Sequence, residues 1–234
     1  MLKRRRATIL AVVLAAAAVS CRHATAPEMP VPQDWRSLMQ HPGPFAALYR
    51  FSCCGQRNLI LAVRSGADRL SISVAVPPGG TAMSAWFAGD EGWVERVKER
   101  CREPLPHGMF PLSKDAALPL DPDLAALVLS GLLPEGAHEV PLTPGWVEAS
   151  NERLTWRARI EGPPTHCSRV LVLRPGEERP LLGADLKSPI GHVPGALVLT
   201  AGSKRVEMVL EEWHAAEPPP PPEWLAVPAC GAMR

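Results

Sequence analysis

Most of this chain alternates between apolar and polar residues with a period of two, and that alternation limits its fold more than any other feature. The clearest stretch runs from Leu154 to Ile160, where Leu, Trp, Ala and Ile alternate with Thr and Arg. Successive side chains of a strand point to opposite faces, so this pattern predicts antiparallel strands with one covered and one polar face. The chain also contains 27 prolines, which disfavour a helix bundle.

Short turn signals, such as Pro77–Gly80 and Gly202–Ser203, separate the alternating stretches. They predict a large antiparallel meander of about ten strands. The predicted strands are 46–53, 58–64, 70–76, 82–88, 92–98, 145–150, 154–160, 167–173, 180–185, 195–201 and 205–211.

Two segments break the alternation and are predicted to be helical. Gln33–His41 precedes a proline and is expected to form a short helix. Pro122–Ser130 is the stronger case, because Asp121 can cap its N-terminus, proline is favoured at the first helical position, and Gly131 follows as a stop. The interior of this second helix is apolar nearly all round, so it should be buried on more than one side.

The N-terminus has the layout of an export signal. A basic stretch, Met1–Arg6, precedes an apolar run, Ile9–Val19, and Ala18-Val19-Ser20 is a cleavage site of the small-x-small type. The apolar run is too short to span a membrane comfortably. Cys21 follows directly, so the sequence predicts a signal peptide over 1–20 and a mature chain that begins with a cysteine.

Removal of the signal peptide changes the charge balance. The whole chain has 25 Lys and Arg against 24 Asp and Glu, and four of the basic residues lie in the signal. The mature chain would therefore have 21 basic and 24 acidic residues, a net charge of −3. Since a nucleic-acid-binding protein needs a concentrated basic surface, no nucleic-acid partner is expected.

Both ends of the predicted mature chain lack periodicity. Residues 21–32 contain three prolines and are expected to form a tether. Five consecutive prolines, 218–222, must adopt an extended polyproline II conformation. We expect them to strap residues 218–234 across the domain, and the alternative is that the proline run binds a partner. The folded domain is then predicted to span 33–217.

The order of these elements resembles the LolA/LolB family, which comprises a periplasmic carrier and an outer-membrane acceptor of lipoproteins. The features that agree are a lipobox-like Ala18-Val19-Ser20-Cys21, a short helix before the first strand, hairpins over 46–98, a Leu-rich helix at 121–129, and strands ending near Trp213. The resemblance implies a mainly β (α+β) fold. In it, a curved antiparallel sheet forms an incomplete barrel, and lid helices lie over its apolar concave face.

The resemblance also implies a function without covalent chemistry. Cys21 would carry fatty acids such as palmitate and anchor the protein in the bacterial outer membrane, facing the periplasm. The concave face would bind the acyl chains of lipoproteins or another amphiphile, with a periplasmic carrier protein as a partner. Each buried CH₂ group contributes about 0.8 kcal/mol, so such a cavity needs no specific motif. The alternative is a structural or interaction lipoprotein whose interior is filled by its own side chains.

Several large apolar residues are candidates for lining that cavity. Aromatic side chains in the strands and branched side chains on the helix bury large areas, which suits either a lipid cavity or a plain hydrophobic core. The candidates are Trp86, Trp93 and Trp156 in the strands, and Leu124, Leu127 and Val128 on the helix.

Five cysteines follow Cys21, and an exported protein can form disulfides. Two pairings are favoured, although sequence alone does not fix the connectivity. One joins Cys53 or Cys54 to Cys101, and the other joins Cys167 to Cys230. The chain has no CxxC motif, which argues against a thioredoxin-like redox function.

The sequence contains none of the catalytic motifs HExxH, GxSxG or Walker A. His166 and Cys167 are adjacent, whereas the members of a catalytic pair usually come from distant positions. No cysteines or histidines have the spacing of zinc ligands. We therefore expect no enzyme activity, metal or cofactor, and an exported hydrolase is the third-ranked alternative.

Overall fold

One 13-stranded antiparallel sheet forms most of the fold. The computed structural model describes residues 30–40, 43–53, 56–66, 68–89, 91–105, 109–113, 116–119, 122–141 and 143–230, without the side chains of 53, 56, 109–113, 116–119, 122 and 123. The predicted signal peptide, the lipidation candidate Cys21, most of the predicted tether and Cys54 lie outside the described residues.

The strands differ in length from two to twelve residues. They are β1 (Phe45–Cys53), β2 (Gln56–Ser65), β3 (Arg69–Ala75), β4 (Thr81–Ala88), β5 (Glu91–Arg96), β6 (Cys101–Pro104), β7 (Met109–Ser113), β8 (Ala116–Pro119), β9 (His138–Glu139), β10 (Trp146–Ser150), β11 (Thr155–Glu161), β12 (His166–Leu173), β13 (Leu182–Ile190), β14 (Val193–Ala201) and β15 (Lys204–Ala215). The helical elements of the described part are α1 (Pro122–Ser130) and the 3₁₀ helices Trp35–Leu38 and Glu223–Ala226.

The sheet consists of two meanders that meet at a single seam. Strands β1 to β6 follow one another in the first meander, and β9 to β15 in the second. The seam pairs the first strand of the domain with the last, so that Phe45 lies opposite Ala215 and Phe51 opposite Met208. The sheet ends at β6 and at β9 and is not closed, and β7 and β8 form a separate hairpin. This confirms the predicted fold class, an open antiparallel sheet accompanied by a helix.

The period-two pattern correctly identifies the buried face of β11. Trp156, Ala158 and Ile160 are 2–3% exposed, whereas the side chains of Arg157 and Arg159 are 43% and 40% exposed. We call the face that carries Trp156 and contacts α1 the concave face, and the opposite side of the sheet the outer face. The concave face contains the main hydrophobic core.

The structure differs from the sequence prediction in its short elements. Strands β6 to β9 are two to five residues long, too short to show alternation, and the residues 101–104 of β6 end in a proline. Helix α1 has the predicted bounds. The helix predicted over 33–41 is a 3₁₀ helix of four residues, Trp35–Leu38.

The C-terminal segment, residues 216–230, runs from the seam to the β6 edge. The Ala216 N–H donates to the Pro44 carbonyl at 2.9 Å. Pro218 then lies so close to the β2–β3 turn that a Cβ at Gly66 would be 3.2 Å from it. The 3₁₀ helix Glu223–Ala226 packs against β5. This course agrees with a strap across the domain.

A disulfide fixes the end of the C-terminal segment. Cys101 on β6 bonds to Cys230, and beside it the Arg102 N–H donates to the Pro228 carbonyl while its carbonyl accepts from the Cys230 N–H. Both predicted pairings need correction, because Cys101 is joined to neither Cys53 nor Cys54, and Cys167 is a free, buried thiol. The strap carries Cys230 to the sheet edge at Cys101, whereas Cys167 lies in the core of β12.

Candidate functional site

Helix α1 lies across the concave face of the sheet. It contacts β2 and β3 of one meander and β14 of the other. Leu124, Leu127 and Val128 are 3%, 1% and 5% exposed and belong to the main core. The structure therefore brings the three helix candidates together against the concave face, as an apolar helix predicts.

Polar contacts fix the C-terminal end of α1. The Tyr49 hydroxyl donates to the Leu129 carbonyl at 3.4 Å, and the Ser130 hydroxyl donates to the Ala126 carbonyl at 2.5 Å. The Gly131 N–H donates to the Leu127 carbonyl at 2.9 Å. The Tyr49 and Gly131 donors satisfy two of the last four carbonyls of α1, which a helix end leaves without intrahelical partners.

Gly131 ends α1 in a conformation that favours glycine. Its φ is +71°, the left-handed region in which a Cβ is unfavourable. A Cβ at this position would also overlap the carbonyl oxygen of His192 in the β13–β14 turn. The residues that follow Gly131, Leu132 and Leu133, are also buried. The Leu133 N–H donates to the Leu38 carbonyl at 2.8 Å. The end of α1 is thus locked against the β13–β14 turn and the N-terminal 3₁₀ helix.

An aromatic cluster lies at the same end of the sheet. The ring of Trp213 stacks on Phe45 with centroids 5.9 Å apart, and His192 meets Trp213 edge-on at 6.3 Å. Burial lowers the pKa of His192, because the charged imidazolium loses hydration there. The cluster therefore favours the neutral imidazole beside the end of α1.

A crevice separates β10 and β11 from the residues that follow α1. It has about 170 Å³ of empty space, some of it open to solvent, and is too narrow to admit a water molecule. Leu127 and Leu133 line one side, and Ala149, Trp156 and Ala158 line the other. The Trp156 indole Nε1 is buried and has no hydrogen-bond acceptor among the described residues. The predicted candidates Trp156 and Leu127 thus meet at this crevice.

The concave face is electrically neutral where it is described. The titratable groups buried among the described residues are Tyr49 and Cys167. Burial raises the pKa of Tyr49 well above its usual range, and it raises the pKa of Cys167 to about 12. Ion pairs lie on the outer face, as in the 2.7 Å contact between Arg157 and Glu148. The concave face suits neutral, apolar groups.

The structure places Trp86 and Trp93 away from α1. They lie opposite each other on β4 and β5, and their neighbours Ala85, Phe87 and Val94 point into the main core. Because side chains alternate along a strand, both tryptophans face the outer side. The prediction that they line the concave cavity is corrected accordingly.

Another environment surrounds Trp93 on the outer face. The Arg102 guanidinium lies over its ring at 4.4 Å from the centroid, a geometry that favours a cation–π contact. The C-terminal 3₁₀ helix packs against the same strand. Trp93 therefore lies on the strand that contacts the C-terminal segment.

Sequence reasoning missed the crevice residues Leu133, Ala149 and Ala158. The two alanines alternate correctly within their strands, but small residues carry no signal that a space lies above them. Leu133 follows the helix stop at Gly131, and the apolar pair Leu132-Leu133 was the available hint that this segment is buried.

The described part of the chain contains neither a group of metal-ligating side chains nor a membrane-spanning helix. No three His, Cys, Asp or Glu side chains there lie close enough to hold one metal ion. Likewise, none of the described helices is long and apolar enough to cross a membrane.

The chain is similar to a LolA superfamily protein. That protein comes from Nitrosomonas europaea, and its crystal structure superposes with a TM-score of 0.46 over 80% of this chain and 92% of that chain, at 10% sequence identity. No protein-family model matches the chain, and no curated protein matches it. An identity this low says nothing of what either protein binds.

Proposed function

We propose that this protein binds acyl chains of lipoproteins, or of another amphiphile, between α1 and the concave face. The observation that supports this most is the apolar helix laid across an apolar, neutral face. In the described structure α1 occupies the binding region itself. Binding therefore requires α1 to move aside, and the acyl chain then replaces its contacts with the sheet.

The free energy gained by burying the α1 side chains is comparable to that gained by burying an acyl chain. Burial of one Leu or Val side chain contributes about 1.5–3 kcal/mol, so the four large apolar side chains of α1 contribute about 6–12 kcal/mol. A 16-carbon acyl chain contributes about 12 kcal/mol at roughly 0.8 kcal/mol per CH₂. Such a balance favours exchange of the chain with a partner over permanent retention.

The proposed location follows from the N-terminal sequence. Cys21 at the end of an export signal is the proposed lipidation site. More than one acyl chain gives stable anchoring, which a single chain does not. We place the protein in the bacterial cell envelope, at the outer membrane and facing the periplasm, with a role in lipoprotein localisation and a periplasmic carrier as its partner.

A second candidate function is a structural or interaction lipoprotein without a ligand. It is favoured by the narrowness of the crevice beside α1, which admits no water molecule. In that case the interior is a finished core. The two candidates differ in whether α1 yields to an acyl chain.

Native mass spectrometry tests the proposed function. The full chain carrying Cys21→Ser is produced in a bacterial periplasm, so that no lipid is attached covalently. It is then examined for copurifying lipid and for uptake of a fluorescent lysophospholipid with a 16-carbon acyl chain. We expect a bound acyl species. An empty protein that also ignores the probe would contradict the proposal and favour the interaction protein.

Two matched variants locate the binding region. Leu127→Asp puts a charge under α1 and should abolish uptake of the probe, provided its circular dichroism matches the parent. Val209→Asp puts the same charge on the outer face, where Val209 is 49% exposed, and should leave uptake unchanged. Equal losses in both variants would place binding elsewhere.

A further inference from the structure

The crevice between β10–β11 and the residues after α1 has an unusual lining. Three of its lining residues are the alanines Ala137, Ala149 and Ala158, and the larger Pro134 and Val147 line it as well. Trp156 lines the same space. The crevice admits no water molecule as it stands, so a ligand can enter it only when α1 and the residues after it move aside, as the proposed function requires.

One polar atom interrupts this apolar lining. Trp156 is 3% exposed, and its buried Nε1 has no acceptor among the described residues. The indole of Trp35, which is also buried, donates to the Glu139 carboxylate at 3.1 Å. Buried indole N–H groups usually have a hydrogen-bond acceptor. The Trp213 indole lacks one as well, but Trp213 does not line the crevice, so the Trp156 N–H is the unpaired indole donor of the crevice lining.

The surroundings restrict that acceptor to a neutral group. Ionised side chains are absent from the buried described residues on this face. Glu148 also borders the crevice, but its carboxylate is bonded to Arg157 on the outer face. A buried carboxylate without a cation would be strongly disfavoured, so a free fatty-acid headgroup does not suit the site. A carbonyl oxygen does.

We propose that Trp156 Nε1 donates a hydrogen bond to the ester carbonyl of an acyl ligand that occupies this region once α1 has moved aside. This inference rests on the proposed function, and it names the ligand class as O-acyl esters rather than free fatty acids or hydrocarbons. The ester lies beside Trp156, and its chain runs beneath α1 past Leu127, which lines the same crevice. Phospholipids and lipoproteins both carry such esters.

Ester and ether analogues of one lipid test the hydrogen bond. A lysophosphatidylethanolamine with a 16-carbon ester chain is compared with its ether-linked analogue, which lacks the carbonyl, using the full chain carrying Cys21→Ser. A neutral hydrogen bond changes affinity by a factor of about 3 to 10. We expect the parent protein to bind the ester tighter by that factor, and Trp156→Phe to abolish the preference without weakening ether binding.

Trp35→Phe is the matched control, because it removes a buried indole that lies outside the crevice lining. It should leave the preference for the ester intact. Ala149→Leu fills the crevice and should weaken both ligands. Two results would contradict the hydrogen bond from Trp156 to the ester but not acyl binding itself. In one, the parent binds both analogues equally; in the other, Trp156→Phe weakens the binding of both equally. If the parent binds neither analogue, the proposed function fails as well.

An NMR measurement keeps the test independent of the variant's folding. The indole ¹H–¹⁵N signal of Trp156 should move downfield when the ester binds, and should move less with the ether. Repeating both measurements with a synthetic diacylglyceryl-cysteine peptide separates the two sources of ester. A Trp156-dependent effect with only one of the two esters supports the hydrogen bond and identifies which lipid supplies the ester. If the indole signal does not move when an ester is bound, the proposed hydrogen bond is wrong.

Discussion

Loss of the Cys101–Cys230 disulfide should destabilise the protein by about 2–5 kcal/mol. The two cysteines are 129 residues apart in sequence, so the cross-link closes most of the domain into one loop. The chain-entropy model assigns about 4.7 kcal/mol to a loop of roughly 100 residues, and measured values are usually 2–4 kcal/mol. We therefore expect Cys230→Ser to lower the free energy of unfolding by that amount, and the β6 edge to fray first.

Urea denaturation followed by far-ultraviolet circular dichroism measures this change. Reductant should bring the parent protein to the stability of Cys230→Ser and should not affect that variant. Cys167→Ala removes a buried thiol but no cross-link, so it should cost only about 1 kcal/mol. A loss below about 1 kcal/mol in Cys230→Ser would refute the reasoning. So would a reductant effect that persists in this variant, because another disulfide would then be present.

Three further predictions concern single residues. Gly131→Ala should lower the free energy of unfolding, measured by urea denaturation, by about 2–5 kcal/mol, because the cost of a Cβ at positive φ adds to its overlap with the His192 carbonyl. The control Gly136→Ala, at φ +85° with no atom near the new Cβ, should lower it by only about 1–2 kcal/mol. Cys167, with its pKa raised to about 12, should resist iodoacetamide at pH 8 until the protein unfolds, and it should make stability fall as the pH rises from about 9 toward 12; rapid native labelling would contradict this. The lowered pKa of His192 means that the unfolded chain binds the proton better, so the free energy of unfolding should fall as the pH drops below about 6.5. In urea denaturation, His192→Gln should reduce the difference in this free energy between pH 7 and pH 5, and an unchanged difference would contradict the prediction.

Local features of the fold could be predicted from the sequence. Alternation and turn residues act between neighbours, so hairpins such as β10–β11 and the buried set Trp156, Ala158 and Ile160 follow directly. The bounds of α1 follow from its proline start and its Gly131 stop. Each of these depends on a few consecutive residues.

The seam and the disulfide could not be predicted in this way. The pairing of Phe45 with Ala215 joins residues 170 positions apart, and no local pattern encodes it. The partner of Cys101 depends on where the strap ends, which the proline run leaves open because an extended segment can be laid along several paths.

The misplacement of Trp86 has a different physical cause. Residues 85–88 are apolar without interruption, so alternation defines two faces there without showing which is inward. Trp86 is nevertheless only 4% exposed, so the outer face is also buried at this point. A strand buried on both sides has no polar face, so its sequence does not show which side chains face the core.

Helix α1 and the C-terminal segment both pack against the sheet, but they are held in different ways. This difference decides which of the two can move away from the sheet. The C-terminal segment is fixed by a disulfide and by backbone hydrogen bonds on both sides of Arg102, and directional bonds of this kind resist sliding. Hydrogen bonds also hold the C-terminal end of α1. Its buried side chains, however, are apolar except for Ser130, and apolar contacts lose little when one apolar neighbour replaces another. The crevice at Trp156 lies beside the chain that follows α1, so an acyl chain entering there would meet α1 at Leu127 and could replace its contacts one by one.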